Sequence, residues 1–170
     1  MKITRFALVG IIAAVLAAPG AAMAGGKGCQ LQGTWFGVDS LANKFLTGWM
    51  VTATGKSADH GTNNLEFPVF DATLNGSFPD AVSLSSMRGA WYRTSGNTFN
   101  YSFMGFALDA VNMPVYVGKV SGTVTLSENC TFETITADMY IYLPGMNPFD
   151  GPHIAFIDLP DHYGYRFTVD

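Results

Sequence analysis

The feature that most constrains the fold is a succession of strand-like runs that fills the sequence from Gln30 onward. β-branched and aromatic residues dominate these runs, and Gly, Asn, Asp and Pro separate them, which is typical of strands joined by turns. No segment keeps a 3.6-residue period, and only residues 40–46 look able to form a helical turn. The pattern predicts an all-β domain with strands near residues 30–38, 46–54, 64–70, 84–94, 98–108, 114–126, 131–142, 153–158 and 163–169.

The turn near Gly96 predicts which residues share a face in the hairpin around it. Two-residue turns at Ser95-Gly96 and at Gly96-Asn97 are both favourable. With either turn, the alternation of side chains along paired strands groups the same residues on one face, which is unusually aromatic for a solvated surface. These residues are Arg88, Ala90, Tyr92, Phe99, Tyr101 and Phe103.

The next hairpin, with its turn at Glu128-Asn129, separates an apolar face from a threonine-rich face. Such alternation is typical of an antiparallel sheet with one dry side. The apolar face holds Tyr116, Val120, Val124, Leu126, Ile135, Ala137, Met139 and Ile141. The opposite face holds Thr123, Thr125, Thr134, Thr136 and Asp138.

Long strands joined by short turns expose sheet edges, and a chain with so little helix has nothing to cover them. We therefore predict a single antiparallel up-and-down β-barrel of about eight or nine strands, whose interior can hold side chains or one small ligand. A two-sheet sandwich is the alternative, although its strands are usually shorter. The Pro- and Gly-rich segment 143–152 is predicted to be a loop that could cover an opening.

The first 24 residues are predicted to be a secretory signal peptide. Lys2 and Arg5 precede an apolar run, a Pro-Gly pair ends it, and the Ala-Met-Ala at 22–24 suits a signal peptidase. An uncleaved anchor is the alternative, but the run is shorter than the roughly 20 residues that a membrane span needs. We therefore expect a secreted or periplasmic protein with a signal at 1–24, one domain at 25–170 and no membrane span in the mature chain.

The charges and cysteines of the mature chain limit its partners and its redox state. Removal of Lys2 and Arg5 leaves 7 of the 9 basic residues against 13 acidic ones, a net charge of −6, so a nucleic-acid partner is not expected. Export makes a disulfide between Cys29 and Cys130 the expected state of the two cysteines. The alternative is a lipid on Cys29, but the residues before it lack the apolar run that a lipoprotein peptidase needs.

Two Gly-x-Trp motifs, at Gly33/Trp35 and at Gly89/Trp91, occur in this short chain. The first, in "GTWFG" at the start of the first predicted strand, resembles the signature of the lipocalins and their calycin relatives. "MRGAWYRTSGNTFNYSF" is similar to lipocalin-like domains of bacterial secreted proteins. The resemblance implies an eight-stranded barrel in which Trp35 lies at the closed end under an arginine of the last strand. Arg166 would supply this closing cation–π contact, and Gly33 would let the backbone pass close to the ring.

Catalytic, metal and cofactor sites are not predicted. No Gly-x-Ser-x-Gly motif is present, and Asp59-His60 lies in a polar loop that is more typical of a solvated surface. A second group of candidate ligands lacks histidine pairs at metal-binding spacing, so we interpret it as the ends of turns. Its members are Asp150, His153, Asp158, Asp161 and His162.

The two hairpin faces together predict a ligand site. If both point into the barrel, they form an aromatic cup with a single cation, Arg88, which could hold the acidic end of an apolar molecule. The predicted ligand residues are Arg88, Tyr92, Tyr101, Phe103, Tyr116 and Met139. Alternatively, Arg88 stacks on exposed aromatic rings, or pairs with Glu133 inside.

These observations predict a binding protein for a small hydrophobic molecule. A calycin-type lipid cyclase or isomerase resembling allene oxide cyclases is the first alternative. A partner-binding barrel with a filled core is the second. The first two need a cavity and the third does not.

Overall fold

The structure is a computed structural model that describes residues 28–38, 48–66 and 78–167. The described residues contain nine strands and no helix, which confirms the all-β prediction. The predicted signal peptide and the predicted helical turn at 40–46 lie outside these ranges. The strands are β1 (Gly33–Val38), β2 (Gly48–Thr54), β3 (His60–Glu66), β4 (Ser83–Leu84), β5 (Met87–Ser95), β6 (Thr98–Leu108), β7 (Pro114–Leu126), β8 (Phe132–Tyr142) and β9 (Ala155–Arg166).

The strands form one antiparallel sheet that closes on itself. Apart from the short β4, each strand pairs with the next one along the chain, and β9 returns to pair with β1. Eight of the described strands therefore make a closed up-and-down barrel, while β4 pairs with the end of β6. Closure gives every barrel strand two neighbours, which removes the exposed edges that the sequence pattern would otherwise leave. No described helix is long and apolar enough to cross a membrane.

β4 and β5 are two parts of one interrupted strand, where the sequence predicted a continuous strand over 84–94. β4 pairs with the last two residues of β6, and β5 begins at Met87. Between them, the Ser85 N–H donates to the Phe106 carbonyl at 2.8 Å, and Ser85 Oγ accepts a hydrogen bond from the Phe106 N–H at 2.9 Å. The Ser85 side chain thus completes the hydrogen-bond ladder at the break.

Three other strands also differ from the prediction, and the first of them, β1, begins at Gly33 rather than at residue 30. β3 begins at His60 rather than at residue 64, because its polar residues pair with both β2 and β5. β9 is one strand where two were predicted, and its register with β8 shifts between Ile135 and Ala137. The extra residue lies near Pro160, and a bulge is where a strand tolerates a residue that cannot donate a hydrogen bond.

The β7–β8 hairpin has the two predicted faces. Val124 pairs with Ile135 and Thr123 with Thr136, so the apolar and the threonine-rich residues lie on opposite faces. Burial of Val124 identifies the apolar face as the interior. The largest fully buried side chains of the described core are Trp35, Trp91, Phe78, Phe99 and Ile141.

Large inward rings lie over glycines of the neighbouring strand. Trp91 pairs with Gly61, where a β-carbon would come within 2.8 Å of the indole. Trp49 pairs with Gly37, where a β-carbon would overlap the ring. Each glycine therefore provides the space that the ring fills, which lets the narrow interior of the barrel enclose several large side chains.

One end of the barrel is closed by residues 28–32, which we call the strap. The up-and-down topology brings the β2–β3, β5–β6 and β7–β8 hairpins to this end, and the strap bonds to each of them. Gln32 Nε2 donates to the Gly55 carbonyl at 2.8 Å, and the Cys29 N–H donates to Asn97 Oδ1 at 2.8 Å. A disulfide joins Cys29 to Cys130 in the β7–β8 turn, as predicted.

Candidate functional site

A small apolar cavity lies inside the barrel near the end opposite the strap. Its volume is about 10 Å³, close to the space of one water molecule. No lining residue carries a charge. The lining residues are Phe78, Leu84, Ser85, Met87, Gly105, Phe106, Ala107, Gly118 and Met139.

Glycines and methionines make the wall of this cavity deformable. Gly105 and Gly118 are paired across β6 and β7 and both are buried. A β-carbon on Gly118 would lie 3.1 Å from the Met139 methyl group, and one on Gly105 would lie 2.7 Å from Met87 Cγ. The two methionines therefore fill the space that the two glycines leave. Methionine side chains are unbranched and flexible, so this space can be reshaped by rotation of side chains alone.

Phe78 closes the cavity from the segment that precedes β4. Its side chain is fully buried, and its ring lies 5.6 Å from the ring of Tyr116. The Ala81 N–H donates to the Phe78 carbonyl at 3.0 Å, so a tight turn holds the ring in place. Phe78 is thus the side chain that a molecule entering the cavity from this end would displace.

Four of the predicted ligand residues lie on the inner face. Tyr101 and Phe103 are neighbours on β6 with ring centroids 5.3 Å apart, and both pack against the core. Tyr116 contacts Phe78, and Met139 lines the cavity. Ligand binding by these residues stays a prediction.

The predicted inward position of Arg88 and Tyr92 is wrong. Both are exposed on the outer face, and Tyr92 is paired with Asn100, whose side chain donates to the Tyr92 hydroxyl at 2.9 Å. The cause is an irregularity between Arg93 and Ser95, which shifts the register of β5 against β6 by one residue. A shift of one residue moves every side chain of a strand to the other face. The same shift brings Trp91 inside.

The inward cations serve the closed end instead of the cavity. The Arg166 guanidinium lies 4.5 Å from the Trp35 ring and donates to the Gln30 carbonyl of the strap, so the predicted closing contact is present. Arg93 lies 4.4 Å from the Phe99 ring and donates to the Cys29 carbonyl at 2.8 Å. Both guanidiniums therefore hold the strap across the barrel.

The Gly-x-Trp motifs hold two different contacts. Next to Trp35, a β-carbon on Gly33 would lie 3.8 Å from Arg166 Nε, and Gly33 has a φ of +138°, which side chains rarely tolerate. Next to Trp91, a β-carbon on Gly89 would lie 2.9 Å from Asn63 Oδ1 and would collide with the neighbouring strand. Each glycine leaves room on the inner wall for a polar side chain of another strand.

Glu133, predicted from the sequence only as an alternative partner for Arg88, is a buried acid. It is 3% exposed and faces Gly164, where a β-carbon would lie 2.7 Å from the Trp49 ring. Burial raises the pKa of Glu133 to about 8, while the nearby charge of Arg166 opposes the rise. Burial lowers the pKa of Arg166, and Glu133 counteracts this. The raised pKa favours the protonated form of Glu133 inside the barrel, and Glu133 does not line the cavity.

The other titratable candidates do not come together. His162 is buried on the inner face of β9, whereas Asp158 is exposed on the outer face, opposite Asp138. His153 lies in the β8–β9 loop against the ring of Tyr140 at 5.3 Å. Within the described parts of the chain, no group of three or more potential ligands is placed to hold a metal ion.

The predicted loop at 143–152 is bound to the outer wall. Lys119 Nζ donates to the Pro148 carbonyl at 3.0 Å and lies 5.9 Å from the Phe149 ring. Lys119 faces outward, because its neighbours Gly118 and Val120 are buried. The loop is therefore fixed to the wall at Pro148.

A group of aromatic side chains, here called the aromatic band, covers the outer face of β1, β8 and β9 beside the strap. Tyr165 pairs with both Phe36 and Phe132, and the Phe132 and Tyr165 ring centroids lie 5.2 Å apart. Several of its members are more than 39% exposed, which is unusual for contiguous aromatic residues. The band consists of Phe36, Phe132, Tyr163, Tyr165 and Phe167.

Comparisons with family models, with curated proteins and with solved structures find no match for this chain.

Proposed function

We propose that this protein is a secreted or periplasmic lipocalin-like barrel that binds one small apolar molecule. The cavity between β4 and β8 carries the proposal, because its lining is apolar and its wall can move. Rotation of Met87 and Met139 would open the volume that these side chains now fill, and Gly105 and Gly118 add no bulk to the wall. Apolar cavities of ligand size stay dry and bind small apolar molecules, so the space opened by the two methionines would suit such a ligand.

The proposed ligand is neutral. Arg88 lies outside the barrel, and Arg93 and Arg166 are engaged at the strap. An anion at the cavity would therefore lose its hydration without gaining a counter-charge. The compartment is supported by the predicted signal peptide together with the Cys29–Cys130 disulfide, because such bonds persist in oxidising surroundings.

Native mass spectrometry of the exported protein tests this function. We expect one bound molecule per chain, released by organic solvent and identified as a neutral apolar compound. As a second readout, toluene should shift the methyl resonances of Met87 and Met139 in a methionine-labelled sample. Met113 provides the internal control, because its side chain is 60% exposed and lies away from the cavity.

A substitution that fills the cavity should weaken the binding of toluene. In Gly118→Ala the added methyl group occupies the cavity beside Met139, so toluene should bind at least tenfold more weakly than to the wild type. Val111→Ala is the matched surface control, since Val111 is 74% exposed. Absence of an adduct, together with unshifted Met87 and Met139 signals at saturating toluene, would refute the proposal.

A partner-binding barrel is the second candidate, and the exposed aromatic band favours it. Contiguous exposed aromatic residues are enriched at protein interfaces. This function predicts that the exported protein carries no small molecule and co-purifies with a partner protein. Replacement of Phe36 and Tyr165 by Ser should then release the partner and leave the barrel folded, whereas a complex that survives this change would exclude the band as the interface.

A further inference from the structure

Asn63 is a polar side chain inside the apolar part of the barrel. It lies on β3 between Gly61 and Leu65 on the inner face, paired with Ala53 on one side and Gly89 on the other. It is 6% exposed, which is unusual for asparagine. Its position therefore needs an explanation other than solvation.

The amide oxygen of Asn63 has no hydrogen-bond partner in the described structure. A buried polar atom left without a partner costs about 1–3 kcal/mol of stability. A leucine of similar size would avoid this cost, so the asparagine is a local disadvantage for folding. Such exceptions in a core often mark an atom whose partner is not part of the protein.

The surroundings of this oxygen are small residues. Gly89 has no side chain, and a β-carbon there would lie 2.9 Å from Asn63 Oδ1, so the Asn63 side chain occupies the space beside Gly89. Ala53 on the other side is small. A buried water needs two to four polar partners, and Ala53 and Gly89, which flank Asn63 on the neighbouring strands, have no polar side-chain atom.

Asn63 does not line the cavity, but it lies one inward-facing position away from the cavity wall. Leu65 pairs with Met87, and Asn63 pairs with Gly89, so Asn63 is two residues below the level of Met87 on the inner wall. Two residues along a strand span about 7 Å. The same step on β6 leads from Gly105, which lines the cavity, to Phe103, which pairs with Gly89. A molecule that displaces the Met87 side chain would therefore reach Asn63.

We propose that Asn63 Oδ1 accepts a hydrogen bond from the ligand, so that the barrel selects small apolar molecules with one O–H or N–H donor, such as simple phenols and alcohols. This inference rests on the proposed binding function and specifies its ligand class. Selection is expected because an apolar analogue without the donor leaves the buried oxygen unpaired.

Three probes of similar size test the inference: phenol, toluene and anisole. Phenol can donate and accept a hydrogen bond, anisole can only accept one, and toluene can do neither. For the wild type we expect phenol to bind about 5- to 20-fold more tightly than toluene, and anisole to gain nothing over toluene. In Asn63→Leu the preference for phenol should disappear while toluene binding persists, and the variant should unfold at higher urea concentration than the wild type.

Asn64→Leu is the matched control. Asn64 is the next residue on β3 but faces outward, where its Nδ2 donates to Glu66 at 3.0 Å, so its replacement should leave the phenol preference unchanged. Asn63→Ala provides a second variant if the leucine disturbs packing, and it should also remove the preference.

The outcomes separate the two proposals. If none of the three probes binds, the binding function itself fails. If toluene binds but phenol binds no better, or if Asn63→Leu keeps the preference, the inference fails and the function stands. Tighter binding of anisole than of phenol would overturn the inference as well, because it would show that the ligand meets a donor rather than the amide oxygen.

Discussion

The buried carboxyl of Glu133 should make the stability of this barrel fall as the pH rises. Burial raises the pKa of Glu133 from an ordinary 4.5 to about 8. Below pH 4.5 both the folded and the unfolded chain keep the proton, so the contribution of Glu133 to the free energy of unfolding has its full value. Between pH 4.5 and 8 only the unfolded chain loses the proton, so the free energy of unfolding decreases with pH, and above pH 8 the loss is complete.

The size of this loss follows from the two pKa values. At 1.36 kcal/mol per pKa unit, the difference between 4.5 and about 8 corresponds to about 5 kcal/mol, which is an upper bound. Glu133→Gln keeps the shape of the protonated acid and removes its ionisation. The variant should therefore match the wild type within about 1 kcal/mol at pH 5 and exceed it by about 2–5 kcal/mol at pH 8.5.

Urea unfolding followed by tryptophan fluorescence, at intervals from pH 5 to pH 8.5 with the disulfide intact, measures this difference. Glu128→Gln is the matched control, because Glu128 lies in the turn of the same hairpin but is exposed. Its pH dependence should equal that of the wild type. Parallel curves for Glu133→Gln and the wild type would show that Glu133 ionises as freely in the folded chain as in the unfolded one.

Three further changes test the fold. Trp35→Ala should lower the free energy of unfolding by about 3–5 kcal/mol, as a fully buried indole under a guanidinium requires, and a loss below about 1 kcal/mol in urea titrations would contradict the closing contact. Reduction of Cys29–Cys130, which are separated by 101 positions, should cost about 4–5 kcal/mol, and the unreduced exported protein should take up no alkyl group by intact mass. Gly89→Ala should lower the free energy of unfolding by more than about 2 kcal/mol, because the added carbon meets the backbone of the neighbouring strand. Gly118→Ala should lower it by less than about 1 kcal/mol, since the added carbon meets only the ends of methionine side chains. Similar melting temperatures for the two variants would contradict this difference.

The sequence predicted the barrel and the β7–β8 face correctly because both depend on local alternation. Along that hairpin no residue interrupts the period, so Val124 and Ile135 face the same way in the pattern and in the structure. The β5–β6 hairpin follows the same rule only as far as its irregularity near Arg93. There, the Arg93 guanidinium donates to Cys29 across 64 positions of the chain, and no local pattern reveals such a bond.

The candidate site could be predicted only in part for the same reason. Tyr116 and Met139 belong to the regular hairpin and lie inside, whereas Arg88 follows the shifted strand and lies outside. The cavity depends on the pairing of Gly105 with Gly118, which becomes visible only when the register of β6 and β7 is known. The inward position of Asn63 was not predicted, because the polar sequence around it is typical of a loop. In the structure this segment is a strand, since it pairs with β2 on one side and β5 on the other.

The two Gly-x-Trp motifs have a common physical cause although they serve different contacts. In each motif the glycine and the tryptophan are two residues apart, so both face the inside of the barrel. The glycine leaves a space beside the indole ring. A side chain from another strand enters this gap: Arg166 beside Gly33, and Asn63 beside Gly89. At the strap, the Arg166 guanidinium lies over the indole face and one of its N–H groups donates to the Gln30 carbonyl, so the arginine takes part in closure. At Gly89, the entering oxygen finds no partner. The same arrangement thus seals one end of the barrel and leaves, farther along the inner wall, a buried acceptor that a ligand donor would satisfy.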